Sequence, residues 1–221
     1  MGNNHMKITI LCDTPDSFLH DFIDEITEEI SKRGHAVNFI KNHKDITKGD
    51  ILFLLGCSTI LPKDILNLNK HNLVIHPSKL PDGRGSAALI WKILEGENTV
   101  WITMFEANEK IDHGDIYFQE KIELTGHELS DEIRYKQANK IKELILKFID
   151  KYPDVKGKPQ RGVGSYYPKR TPKDSELDID KTIKEQFNLL RVSDNKRYPA
   201  FFKYKGYKYI VKIYKDAKEG Q

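Results

Sequence analysis

The chain of 221 residues has room for one large domain, or for one domain and a small companion. Its 38% hydrophobic content can build a core, its 31% charged content reads as soluble, and a net charge of +3 excludes an extended nucleic-acid surface. No apolar run reaches membrane-spanning length and no signal-peptide pattern opens the chain, so a cytoplasmic protein without membrane contact is expected. Cys12 and Cys57 lie far apart with no CxxC spacing and read as reduced thiols, with a disulfide possible but not indicated. The eight histidines show no metal-ligand spacing, so no metal is expected.

Met1 to His5 reads as a tag remnant, with the natural start at Met6. Lys7 to Cys12 is an apolar strand, and Asp13-Thr14-Pro15-Asp16 is a turn with helix-capping chemistry. Phe18, Leu19, Phe22, Ile23, Ile26 and Ile30 recur at helical spacing, which predicts an amphipathic helix over about 16–33, stopped by Gly34. Ala36 to Ile40 and Asp50 to Leu55 are further strands. The order strand, helix, strand, strand predicts a parallel sheet with right-handed crossovers. No Gly-x-Gly-x-x-Gly follows the first strand, which counts against a dinucleotide site there. Gly56-Cys57-Ser58-Thr59 leaves the third strand as a turn that would let a flat ligand approach the backbone; an ordinary strand-to-helix turn reads the same way.

Asn72-Leu-Val-Ile-His76 is a fourth strand, broken by Pro77, Pro81 and Gly83. In an open α/β sheet ligands bind at such strand ends. Alone, His76 reads as a hydrogen-bonded core histidine. Ser86 to Leu94 is a helix, and Thr99 to Phe105 and Ile116 to Leu124 are strands either side of Asp112-His113-Gly114-Asp115, itself a turn pattern. Glu128 to Tyr152 is a long amphipathic helix, ended by Pro153. Residues 154–168 read as a linker or exposed loop, Ile179 to Leu190 as a short helix, and Ala200 to Tyr214 as a hairpin turning at Lys205-Gly206. The division expected is a domain over 6–153, a linker over 154–168 and a small region over 169–221. The fold class is α/β: a Rossmann-like, mostly parallel sheet with helices on both faces, plus a C-terminal helix and hairpin.

The pattern His76-Pro-Ser-x-Leu-Pro-x-x-Arg84-Gly resembles the signature of the folate-dependent formyltransferases. Ile111-Asp112-His113-Gly114-Asp115 resembles that family's second catalytic segment, in the right order and at a similar separation. Residues 169–201, with Arg170-Thr-Pro and Tyr198-Pro-Ala-Phe201, resemble the start of the C-terminal region of methionyl-tRNA and sugar-nucleotide formyltransferases. The resemblance implies His76 as base or oxyanion donor, Asp112 as its charged partner, and 10-formyltetrahydrofolate as co-substrate. It implies a folate pocket lined by Gly56, Cys57, Ser58, Lys110 and Ile111.

Ser78, Lys79, Arg84 and Arg170 are expected at the acceptor, with surface solvation an equal reading for the cations. The favoured acceptor is an amino deoxysugar linked to dTDP or UDP, because charge is modest and the C-terminal region short. The alternatives are a folate- or nucleotide-binding module with weak turnover, or a methionyl-tRNA-type enzyme. The family's Asn two residues before the His is here Val74, and Asn72 lies too far back to replace it. A backbone N–H, or a hydroxyl of Ser58, Thr59 or Ser78, is the expected substitute donor. A homodimer is expected through the aromatic hairpin, which carries Phe201, Phe202, Tyr204, Tyr207, Tyr209 and Tyr214.

Overall fold

A computed structural model describes residues 5–57 and 59–216. Strands β1 (Lys7–Leu11), β2 (Ala36–Ile40), β3 (Gly49–Leu54) and β4 (Asn69–His76) pair in parallel in the order β2-β1-β3-β4. A two-residue strand β5 (Arg84–Gly85) follows. Then β6 (Thr99–Glu106) and β7 (Ile116–Glu123) complete the six-stranded sheet antiparallel to their neighbours. The mostly parallel α/β sheet read from the sequence is the one observed.

Ile51, Leu52, Phe53 and Leu54 of β3 are all buried, as a parallel strand covered on both faces requires. Side chains alternate, so the two faces build two cores. Ile8, Ile10, Ile51, Phe53, Leu73 and Ile75 meet α1 (Ile23–Lys32), α3 (Ala88–Leu94) and α4 (Ser130–Lys151) in the larger one. Leu11, Leu52 and Leu54 meet Ile46 and Leu61 in the smaller, where Val74 and the short α2 (Lys63–Leu66) also pack. His76 follows Val74 by the same alternation and leaves the sheet on the smaller core's side. The helix expected over 16–33 is broken: Phe18–Phe22 forms a 3-10 turn capped by the Ser17 hydroxyl, and α1 begins only at Ile23. Among the described residues no helix is long and apolar enough to cross a membrane, and Cys12 and Cys57 are unpaired thiols.

The stretch 154–168 is tied down rather than a free spacer. Lys158 and Ile116 exchange backbone bonds, and Tyr166–Tyr167 forms a short strand β8 parallel to β5. The Gly83 amide donates to the Ser165 hydroxyl, and the Trp91 indole donates to Pro168 O. At Gly164 an added Cβ would stand 2.4 Å from Pro81 O, so the strap needs glycine there to lie against the loop leaving β4.

Beyond it, the helix expected over 179–190 is a series of turns ending in α5 (Phe187–Val192), because Asp178, Thr182 and Gln186 bond locally and close those turns. Strands β9 (Ala200–Tyr204) and β10 (Tyr207–Val211) form the expected hairpin, with Lys205 (φ 49°) and Gly206 (φ 81°) in the left-handed region such a turn demands. Arg191 of α5 is buried and reaches Asn98 Oδ1 at 2.7 Å and Glu128 at 3.6 Å, anchoring this region to the sheet domain. Burial alone would raise the Glu128 carboxyl. Bonds from Lys136 Nζ and Thr125 outweigh it and bring the group down to about 2.

Candidate active site

A cavity of about 340 Å³ opens where β3 and β4 give out. Its walls come from Gly56, Cys57 and Thr59 to Leu61 after β3, Pro77 after β4, and Ala107, Asn108 and Lys110 to Asp112 between β6 and β7, with Ser17 to Leu19 and, from α4, Gln137 and Ile141. Leu54, Leu61, Val74, Phe105 and Ile111 make it largely apolar, the surface a flat aromatic ligand requires. Of the residues expected at the folate pocket, Gly56, Cys57, Lys110 and Ile111 all line it; Ser58 lies outside the described residues. Gly56 (φ +62°) sits in the left-handed region, with Ser17 Oγ 3.0 Å from where a Cβ would be, and its carbonyl accepts a bond from Thr14 Oγ1. The Cys57 thiol is pushed up to about 12 by burial, so it stands at the cavity as a neutral thiol, its S–H donated to Leu11 O at 3.3 Å, and not as a nucleophile.

His76 and Asp112 stand together at the floor, Nε2 to Oδ2 4.0 Å, with side chains 10% and 11% exposed. That distance is electrostatic contact and not a hydrogen bond. His76 Nε2 instead meets Gly83 O at 2.8 Å, and a carbonyl can only accept, so Nε2 carries the proton. The neutral ring therefore offers Nδ1 as its base. A proton taken up there makes an imidazolium that the Asp112 carboxylate stabilises across 4.0 Å.

Asp112 is held at φ 56°, a conformation that costs a non-glycine residue roughly 1–2 kcal/mol. Its surroundings offset that cost. Its carboxylate accepts from the Gly85 amide at 2.9 Å, and its carbonyl from Arg84 Nε at 3.2 Å and Gln160 Nε2 at 2.8 Å. Gln160 Nε2 also donates to Gly114 O at 2.9 Å. These bonds contribute about 1 kcal/mol each, more where a charge takes part. Gly114 completes the turn: an added Cβ would sit 1.5 Å from Glu106 O, so no larger residue fits this backbone.

Four expected acceptor residues lie elsewhere. Arg84 is buried, and its guanidinium bonds Asp112 O, Val163 O and Gln160 Oε1, so it braces the Asp112 loop instead of facing a phosphate. Ser78 is buried outside the cavity wall with its hydroxyl unbonded. Lys79 lies over the Trp101 ring, 4.5 Å from its centroid. Arg170 is buried in the C-terminal region against Asp174 O and the Ser175 hydroxyl.

Two glutamines went unseen in the sequence. Gln160 sits in a polar stretch that carries no local signal. Gln137 left one: it occupies an apolar-stripe position of α4 between Ile133 and Ile141, and it lines the cavity with its amide lacking a hydrogen-bond partner among the described residues. Thr59 and Asn108 also line the cavity. Asn72 does not, since its amide nitrogen bonds Leu66 O.

The formyl transferase family matches residues 26–149 of the chain. A methionyl-tRNA formyltransferase of Thermodesulfovibrio yellowstonii is 31% identical over 157 residues, covering 70% of this chain and 51% of that protein. The chain thus spans about half the length of the curated relatives it matches. Among solved structures, HypX from Aquifex aeolicus in complex with tetrahydrofolic acid superposes with a TM-score of 0.80 at 23% identity. It covers 95% of this chain and 38% of that one. A sugar N-formyltransferase from a Shewanella species superposes with a TM-score of 0.69 at 18% identity, over 97% and 99% of the two chains.

Proposed function

The chain belongs to the formyl transferase family, and from that premise we propose that it moves a formyl group from 10-formyltetrahydrofolate to the amine of a nucleotide-linked amino deoxysugar. The observation that carries this reading is the His76–Asp112 pair, 4.0 Å apart on the floor of an apolar cavity at the strand ends. The pterin lies in that cavity, against Gly56, Cys57, Lys110 and Ile111. The acceptor nitrogen attacks the formyl carbon and forms the new C–N bond. His76 Nδ1 takes the proton the nitrogen sheds, Asp112 stabilises the resulting imidazolium, and the tetrahedral intermediate then breaks its bond to the folate nitrogen. The same proton returns to that leaving nitrogen, so tetrahydrofolate departs neutral at that atom.

Val74 leaves no amide donor beside the developing oxyanion. Thr59, Asn108 and Gln137, all on the cavity wall, are side chains that could take up that task.

The sugar-nucleotide acceptor is supported by the net charge of +3, small for a tRNA-binding surface; the fold does not choose, since the Shewanella sugar N-formyltransferase and a methionyl-tRNA formyltransferase from Clostridium thermocellum both superpose over nearly the whole chain. A second reading, methionyl-tRNA as acceptor, is favoured by the Thermodesulfovibrio relative. Incubating the protein with 10-formyltetrahydrofolate and either amino-sugar nucleotides of dTDP and UDP or charged initiator tRNA, with mass detection of the formamide, separates them. Formylation of a sugar nucleotide is expected. Formylation of the tRNA alone overturns the acceptor, and tetrahydrofolate binding with no transfer to either overturns the enzyme in favour of a binding module.

The hairpin leaves Tyr204, Tyr207, Tyr209 and Ile210 exposed, and beside it Tyr214, which supports a homodimer through this surface. Light scattering at working concentration is expected to give twice the chain mass; a monomer rules it out.

A further inference from the structure

A second cavity, of about 210 Å³, adjoins the first and shares Phe18, Pro77 and Gln137 with it. One wall is a stripe of α4: Ser130, Arg134 and Gln137, spaced so that all three face the same side of the helix. Pro77, the neighbour of His76, and Gln137 belong to both cavities and mark the inner end; Ser130, two helical turns from Gln137, and Arg197, which lines only this cavity, mark the outer. No carboxylate lines this cavity. Arg134 Nη2 and Arg197 Nε both bond Asp194 Oδ2, at 2.8 and 2.9 Å, and Arg197 also reaches Asp16 O. Burial alone would raise the Asp194 carboxyl, but the two guanidiniums outweigh it and hold it well below the carboxylate range. Two guanidiniums thus share one carboxylate, which leaves these three groups one positive charge in excess, with Asp131 and Glu132 beside Arg134 on the face turned away from this cavity's lining. Ser130 and Gln137 are half-buried, and the Ser130 hydroxyl and Gln137 amide have no hydrogen-bond partner among the described residues, so only solvent competes for them. Polar groups left unbonded along a cavity wall are groups that a ligand can satisfy.

We propose that this groove is the acceptor's seat: Ser130, Arg134 and Arg197 hold a diphosphate at the outer end, and Gln137 guides the amine to His76 at the inner end. The proposal rests on the formyl-transfer reading and names the part of the acceptor that reading leaves open. Seven residues of helix span about 10 Å from Ser130 to Gln137. That leaves room for one sugar ring between an amine and an anionic group, and arginine is suited to grip phosphate oxygens in pairs.

The test is binding, with inorganic diphosphate, UDP and dTDP as probes, AMP standing for the terminal nucleotide of a tRNA, and tetrahydrofolate measured in parallel. Ser130→Glu puts a carboxylate at the groove's outer end, in the first turn of α4, where helices favour acidic residues and folding is preserved. Ser130→Gln is the neutral control of similar size. The expected result is that diphosphate, UDP and dTDP bind the native protein, and that Ser130→Glu weakens all three by about tenfold or more. Ser130→Gln should stay within about threefold of native, and AMP should bind about tenfold more weakly than UDP. Tetrahydrofolate affinity should not change in either variant. The proposal is overturned if diphosphate fails to bind while tetrahydrofolate binds, if Ser130→Glu and Ser130→Gln behave alike, or if AMP matches UDP. Failure of tetrahydrofolate to bind removes the formyl-transfer reading and with it the acceptor role, whatever diphosphate does.

Discussion

His76 and Asp112 face one cavity, yet they are held there by unlike means. His76 ends a strand whose Leu73 and Ile75 are buried in the larger core and whose partner β3 is buried on both faces. Its position follows from apolar burial and strand alternation. Asp112 stands on a loop with almost no core beneath it, in a backbone conformation that resists its side chain, and polar bonds from Gly85, Arg84 and Gln160 keep it there. Gln160 comes from a strap 48 residues further along the chain. A hydrophobic strand end thus locates one half of the site and a hydrogen-bonded brace locates the other. The two halves should respond differently to substitution.

The sharpest contrast is at the pair itself. Asp112→Asn keeps an oxygen to accept from the Gly85 amide, so the loop stays put while the charge that stabilises the imidazolium is gone. Formyl transfer should fall by about 10²–10⁴ in kcat with the tetrahydrofolate Kd nearly unchanged. Near-native kcat with any accepted amine would mean the carboxylate has no part in the chemistry.

The brace comes next. Gln160→Ala removes both bonds to the Asp112 loop, and a displacement of about 1 Å there is worth up to about 10² in rate. A drop in kcat of about ten- to a hundredfold is expected, with far-ultraviolet circular dichroism unchanged. Gln160→Glu preserves size and polarity but cannot donate to the two carbonyls, so it should fail as well. Full activity in Gln160→Glu would show that volume, and not donation, is what the strap supplies.

The smallest effect is expected on the strand side. Val74 packs in the smaller core while lining the cavity. Asn there would place an amide among Leu54, Leu61 and Phe105, where Thr59 and Gln137 already offer donors. Steady-state kinetics of Val74→Asn should show kcat unchanged or modestly lower. A gain of about tenfold or more would mean that the missing amide is a real deficit.

The same contrast explains what could be read from the sequence. Ile51 to Leu54 and Leu73 to Ile75 announce buried strands by composition, and His76 stands where the apolar run stops. Period and punctuation are local, so the sheet, the long α4 and the hairpin were all legible. Gly56 and Cys57 line the cavity from the loop after β3 and Lys110 and Ile111 from the loop between β6 and β7, the two loops that the family resemblance pointed to. Arg84, Arg170 and Ser78 do not, because a charged or polar residue beside a motif carries no mark of whether it turns inward. Arg84 spends its guanidinium on Asp112, Val163 and Gln160, partners 28, 79 and 76 residues further along the chain that no local window joins. The broken helix at Phe18–Phe22 was hidden for a related reason: apolar spacing continues through it, and only the Ser17 cap and the bond from His20 to Thr14 O mark the break.

The central claim is that His76 is the proton acceptor of a formyl transfer at a preformed folate cavity. Single-turnover transfer from 10-formyltetrahydrofolate by His76→Ala, measured beside the tetrahydrofolate Kd of the same variant, tests it most directly. The account predicts a rate lower by about 10²–10⁴ with folate affinity within about threefold of native. A variant that binds folate normally and transfers the formyl group at the native rate would contradict it.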